Sequence, residues 1–146
     1  MVWSPHVTVA AVIERDQHFL MVEERPAGVS VFNQPAGHLE AGETLLDAVV
    51  RETLEETAHV FTPTALVGIY RWQNETGEAT YLRFCFTGHC APTPLDRALD
   101  ADILACHWLG LAELARRNLR SPLVNRAIDD YMRGLRYPLD ILHEVL

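Results

Sequence analysis

The sequence predicts a mixed β-sheet flanked by helices, and three observations predict it. Short runs of alternating apolar residues recur along the chain, a stretch free of Gly and Pro repeats its apolar residues at helical intervals, and neither a linker nor an internal repeat divides the 146 residues. The length is that of one ordinary domain spanning residues 1–146, and 49% hydrophobic residues against 22% charged ones suffice for a globular core.

Taken in order, Val7, Val9, Ala11 and Ile13 alternate with Thr8, Ala10 and Val12, and Phe19 to Val22 form a second apolar run, so the opening reads as a hairpin. A loop from Arg25 to Ser30 leads to a short extended piece, Val31 to Gln34, after which Pro35-Ala36-Gly37 is expected to break regular structure. Thr44 to Thr57 is the most secure helix, opened by Thr44 and Asp47 in capping-box spacing. Thr64 to Trp72 and Thr80 to Cys90 read as strands around the turn-rich Asn74-Glu75-Thr76-Gly77, and Ile103 to Leu109 as a further strand. Leu111 to Asn118 and Pro122 to Arg133 read as helices.

A formal net charge of −8 argues against nonspecific nucleic-acid binding and against an anionic membrane surface, both of which demand a basic footprint. No apolar run approaches the ~18 residues of a membrane span and the first ten residues lack a basic n-region, so the expected location is the cytoplasm. Cys85, Cys90 and Cys106 are an odd set without paired spacing, which fits reduced thiols. His89-Cys90 and Cys106-His107 read either as ordinary partly buried residues or as zinc ligands, with no C-x-x-C to favour zinc.

On a helical wheel Glu52, Glu55 and Glu56 fall within an arc of about 100°, beside the apolar flank of Leu46, Val49, Val50 and Thr53. Like charges so spaced repel, and carboxylates near a core pay for desolvation, so a positive partner is required. Hard oxygen donors suit Mg²⁺, with Mn²⁺ as a substitute, and such an ion bridges carboxylates to substrate phosphates. A solvated acidic face is the bland alternative.

Gly37, Glu43, Arg51, Glu52, Glu55 and Glu56 fit G-x5-E-x7-R-E-x2-E-E, a pattern that six fixed residue types produce by chance in about one chain in 10⁵ of this size. It resembles the Nudix box. That resemblance implies an α/β/α sandwich (α+β, mixed sheet), a loop-helix-loop metal site and attack on a phosphoanhydride bond of a small-molecule substrate, with Glu52, Glu55 and Glu56 coordinating the ions and a backbone carbonyl near Gly37 or Ala36 assisting. Gly37 either lets the loop approach the metal or simply serves the turn after Pro35. Arg51 and Glu43 look like an internal pair that orients the ligands, the alternative being an ordinary surface ion pair. Ala58 stands where the box usually has Gly, while His59 and Thr53 replace usual aliphatics; a left-handed Ala58 costs on the order of 1 kcal/mol.

Beyond the box, His6 to Ala10, Asn33 to Glu40, Leu82-Arg83-Phe84, Leu119 to Val124 and Arg136 to Leu139 resemble bacterial phosphatases of the same family. This likeness implies release of a terminal phosphate from hydroxymethylpyrimidine pyrophosphate and from nucleoside di- and triphosphates. Arg83, on the strand face opposite Leu82 and Phe84, meets either an anionic ligand or solvent at a sheet edge. Arg71 and Trp72 offer a cation and a stacking surface, with core packing as the alternative for Trp72. Asn33, Gln34 and His38, and Arg120 with Ser121, are further substrate candidates, although capping and turn formation account for Asn33 and Ser121 as well. For the general base, Glu55 and Glu56 compete with Asp100 and Asp102, which could serve as base or additional ligand but also read as capping or solvated loop residues. Two rivals stand beside the phosphatase: a pyrophosphohydrolase or isomerase of another diphosphate, and a silent nucleotide-binding regulatory domain. The sequence does not choose between monomer and dimer.

Overall fold

The computed structural model describes residues 2–145. Its first sheet runs β5 (Ala36–His38), β1 (His6–Val12), β7 (Thr80–Cys90), β6 (Phe61–Gln73). It is mixed, because β1 pairs β7 in parallel while β5–β1 and β6–β7 are antiparallel. A second sheet centres on β3 (His18–Glu24), which pairs β8 (Ile103–Leu109) on one side and β2 (Glu14–Arg15) and β4 (Val31–Asn33) on the other.

Period-two alternation along β1 and into the following Ile13 sends Val9, Ala11 and Ile13 into one core and Ala10 and Val12 into another. The first core is closed by α1 (Leu45–Thr57) through Ala48 and Val49, the second by α3 (Pro122–Met132) through Val124, Ala127 and Ile128. This is the expected sandwich with helices on both sides of a mixed sheet. Among the described residues no helix is long and apolar enough to cross a membrane.

Four expectations need correction. The opening hairpin is confined to β2 and β3: β1 lies in the other sheet, since alternation identifies a strand but not its partner. Pro35-Ala36-Gly37 does not end regular structure, because Ala36 to His38 pair with β1 and leave only Pro35 outside. The helix expected over Leu111 to Asn118 stops at Leu114 as α2 (Leu111–Leu114). There the backbone turns to bond Phe32, whose N–H donates to Asn118 O and whose carbonyl accepts from Arg120 N, and those bonds compete with another helical turn. Finally, β6 begins at Phe61, ahead of the expected Thr64.

The α1 boundaries follow local chemistry. Thr44 Oγ1 accepts from Asp47 N at 3.0 Å and Asp47 Oδ2 from Thr44 N at 3.4 Å, the reciprocal capping box. At the far end Ala58 takes the left-handed conformation, φ 60°, where Gly is usual. Its methyl is only 3% exposed, and burying such a group stabilises by about 0.8 kcal/mol, enough to offset most of the strain. His59 is likewise buried, with Nδ1 2.8 Å from Thr57 O, and desolvation holds its pKa below the usual value. Thr53 is buried on the α1 core face and its hydroxyl finds no partner among the described residues.

Candidate active site

The acidic face of α1 lies against β5, the outer strand of its sheet. The Ala36 amide donates to Glu56 Oε1 at 2.9 Å, which ties the last glutamate of the run to that strand. At the next residue, Gly37, the backbone comes so close to Glu52 that a Cβ would overlap its carboxylate. Only glycine leaves that carboxylate where it stands, by contact rather than by an unusual φ. The close approach that the structure shows at Gly37 is thus to the Glu52 carboxylate.

Arg51 gathers the glutamates. Its Nε and Nη2 donate to the two oxygens of Glu43 at 2.9 and 2.7 Å, its Nη1 to Glu52 Oε1 at 2.8 Å and Glu55 Oε2 at 3.2 Å, and Nη2 also to the His38 carbonyl at 3.1 Å. Glu40 stands 3.5 Å away. This fork is no casual surface pair: the hydrogen bond from Arg51 holds Glu43 below its usual pKa, and Glu43 with Glu52 raises that of Arg51. Glu43 Oε1 also accepts from Glu40 N at 2.8 Å, which closes the loop before α1.

One guanidinium cannot neutralise this many carboxylates. Burial pushes Glu52 above its ordinary pKa despite Arg51, and pushes Glu56 up to about 8, with Glu52, Glu24 and Asp100 adding repulsion. Glu52, Glu55 and Asp100 bring oxygens within 4.8 Å of one another, Asp100 being drawn in by its N–H bond to Glu55 O at 2.9 Å. An all-oxygen, carboxylate-rich set with uncompensated negative charge fits a hard divalent cation and disfavours a soft one. Asp100 thereby joins the glutamates, whereas Asp102 lines the neighbouring cavity.

That cavity, about 460 Å³, opens on the α3 side of the first sheet, and its lining includes Gly37, His38, Glu56, Trp72, Arg83 and Arg120. Arg83 projects from β7, an interior strand, so it is not an edge arginine reaching solvent. It is 3% exposed and the one side-chain hydrogen bond it makes among the described residues goes to Asn33 Oδ1 at 3.0 Å. A buried guanidinium bonded to a single neutral amide keeps most of its donors available for an anion. Asn33 thus orients Arg83.

The other substrate candidates divide. Trp72 is half-buried in the cavity wall, stacked on Tyr81 with centroids 5.5 Å apart, rather than packed in the core. Arg120 lines the cavity while donating to Glu24 Oε2 at 3.0 Å, and Ser121 caps α3 by accepting from Leu123 N. Arg71, next to Trp72 on β6, is exposed on the opposite face and lines no part of the cavity, as the strand period requires. Gln34 is 1% exposed, outside the cavity lining, and donates to Val124 O at 2.9 Å, so its amide joins β4 to α3 instead of facing a ligand. The cysteine-histidine pairs form no metal-capable group among the described residues. Thr8 and Tyr81 line the cavity without having been singled out; Tyr81 was readable as the residue two before Arg83 on the same strand face.

The NUDIX domain model matches residues 4–129. The chain belongs to the Nudix family. This Nudix protein is 40% identical over 141 residues to proteins named phosphatase NudJ from Shigella boydii and from Escherichia coli K12, covering 96% of this chain and 92% of each relative. A NUDIX hydrolase from Nitrosomonas europaea superposes with a TM-score of 0.93 at 48% identity, over 97% of this chain and 98% of that one. The NUDIX domain of Shewanella oneidensis NrtR, at 19% identity and a TM-score of 0.77 over 92% of this chain and 90% of its own, shares the fold. This Nudix protein is accordingly a hydrolase acting on phosphoanhydrides.

Proposed function

We propose that this Nudix hydrolase is a magnesium-dependent phosphatase that releases orthophosphate from hydroxymethylpyrimidine pyrophosphate and from nucleoside di- and triphosphates. The observation that carries the reading is a carboxylate cluster abutting a cavity that holds the buried, under-bonded Arg83. The 40% identity to NudJ phosphatases over nearly the whole chain supports the choice of phosphatase.

Glu52, Glu55, Glu56 and the Gly37 segment would hold the divalent ion, with Asp100 as a further ligand. When bound, Mg²⁺ neutralises phosphate charge and acidifies a water molecule. Arg83 binds the phosphate that enters the cavity, and Arg120, which lines the same cavity, adds a second guanidinium. Glu56 lines the cavity, and a bound cation would hold its carboxylate ionised against the burial that raises it in the metal-free protein, leaving it able to accept the proton of the attacking water. Arg51 and Glu43 do not touch substrate; they fix the carboxylates of Glu52 and Glu55 in place.

The test is phosphate release by purified protein from a panel comparing hydroxymethylpyrimidine pyrophosphate, thiamine pyrophosphate and nucleotides, with and without Mg²⁺. Mg²⁺-dependent orthophosphate release, lost in Glu56→Gln, is expected. Pyrophosphate as the product from nucleoside triphosphates would contradict the phosphatase, and binding without any release would sink the enzyme reading.

A further inference from the structure

Across the first sheet a row of rings crosses four strands on the cavity face. His38 of β5 meets His6 of β1 edge-on at 5.3 Å, His6 stacks on Tyr81 of β7 at 4.9 Å, and Tyr81 stacks on Trp72 of β6 at 5.5 Å. The registers His6↔Tyr81 and Trp72↔Tyr81 put these residues directly opposite one another, so the stack follows from strand pairing. Tyr81 has a ring on each side. Trp72 does not, because β6 is the last strand of the sheet.

Beyond Trp72 lies a second, outer cavity of about 800 Å³, bounded by the β6–β7 turn and the start of α3. Trp72, Asn74, Arg120 and Ser121 line both cavities, whereas Tyr81, Arg83 and Glu56 line only the inner one. The two therefore form one trough with its anion-binding end inside and its indole at the junction. At the outer rim stands Asn125, exposed on α3, whose amide makes no hydrogen bond to another described residue. Asn74 Oδ1 is committed to Thr76 and Ala79, but its NH₂ group is not.

Resting on the phosphatase reading, the geometry points to a subsite for the organic group of the substrate: a planar aromatic heterocycle stacks on the outer face of Trp72, as the next rung of the ring row, with the amides of Asn74 and Asn125 at its polar edge. A neighbouring rung would sit one strand spacing away, about 4.8 Å, and Trp72 lines the outer cavity on which such a ring would draw. Stacking tolerates pyrimidine and purine alike, since every base has a π-face, and this accounts for a phosphatase with more than one heterocyclic substrate. The amide groups supply a donor and an acceptor without a charge, which suits a neutral ring. The substrate thus lies with its ring outward and its phosphates inward toward Arg83.

The experiment is an equilibrium titration with cytidine 5′-monophosphate against ribose 5-phosphate, two ligands that differ by the base alone, in the presence of Mg²⁺. The parent protein should prefer the nucleotide by at least about 5-fold, the lower bound of base–aromatic stacking. Trp72→Leu should abolish that preference and Trp72→Phe should restore most of it. Asn125→Ala should reduce it in part. Equal binding of the two ligands by the parent, no measurable nucleotide binding, or an equal loss of both ligands in Trp72→Leu with Trp72→Phe also impaired would overturn the subsite. Because the readout is binding, failure of turnover would leave its outcome intact, and the two readings stand or fall separately.

Discussion

Replacing Gly37 by Ala tests whether the contact between β5 and α1 sets the geometry of the carboxylates. Gly37 has an ordinary strand conformation, so Ala is compatible with the backbone and lowers the entropy of the unfolded chain, worth about 0.4–1 kcal/mol in favour of folding. The added methyl, however, overlaps all three atoms of the Glu52 carboxyl group. That carboxylate is the end of a flexible side chain, so it, not the strand, should yield, by on the order of 1 Å. Such a displacement breaks its 2.8 Å bond from Arg51 and costs about 1.5–3 kcal/mol at the site, partly returned by solvation. A misplacement of about 1 Å costs roughly 10²-fold in rate. The expected outcome is a thermal midpoint within a few degrees of the parent, kcat/KM for Mg²⁺-dependent phosphate release down about 100-fold, and a rightward shift of the Mg²⁺ titration. Activity within about threefold of the parent with an unchanged Mg²⁺ titration would refute the reasoning; so would a large fall in melting temperature, which would mean that the strand moved instead.

Glu56→Gln should reduce turnover by about 10²–10⁴-fold, as expected for loss of a proton acceptor, with folding intact by circular dichroism. The same residue makes a pH prediction for metal-free protein. Its pKa is raised from 4.5 to about 8, so the stability it contributes is full below about 4.5 and is lost as pH rises through about 8; melting in EDTA should weaken from pH 6 to 9, and Glu56→Gln should flatten that slope. Equal slopes would show that Glu56 is not the titrating group. Arg51→Lys keeps the charge but not the fork, and should cost about 10–100-fold in activity with a weaker Mg²⁺ response, whereas a surface pair would leave both untouched. Away from the site, Asp130 is 3% exposed and accepts from Tyr70, Arg126 and Arg133; burial pushes its pKa up, but those hydrogen bonds hold it below its usual value. Asp130→Ala should destabilise the fold by about 2–3 kcal/mol in urea unfolding while leaving KM unchanged.

What was legible in the sequence is what local physics decides. Thr44 and Asp47 announced α1 because a capping box is settled within four residues, and the spacing of Arg51, Glu52, Glu55 and Glu56 gathered them on one side of α1 because a helix fixes their relative directions. Partnership between distant segments was not legible. Nothing in Val7 to Ile13 says that β7 rather than β3 lies beside it, and nothing in Arg116 to Asn118 says that Phe32 will claim the backbone there. The same limit hid the role of Gln34, a polar residue made core by its bond to Val124, and left Asp100 and Asp102 as equal candidates, since the place of Asp100 beside Glu55 depends on a loop returning across the fold. Arg71 was a different kind of miss: the alternation that turned Trp72 toward the cavity already turned Arg71 away.

The parallel pairing of β1 with β7 also sets an order of events in time. Antiparallel neighbours joined by a short turn, such as β6 and β7, zip as soon as both have left the ribosome, but β1 must wait until Thr80 to Cys90 emerge. At about 5–20 residues per second that delay lasts several seconds, during which Val9, Ala11 and Ile13 have no strand on that side to rest against. Because Asp100 reaches the cluster through its N–H bond to Glu55 O, the carboxylate group can be complete only once that still later segment has emerged. A nascent chain stalled before residue 80 would carry every residue of the acidic box and still lack the arrangement that gives it meaning.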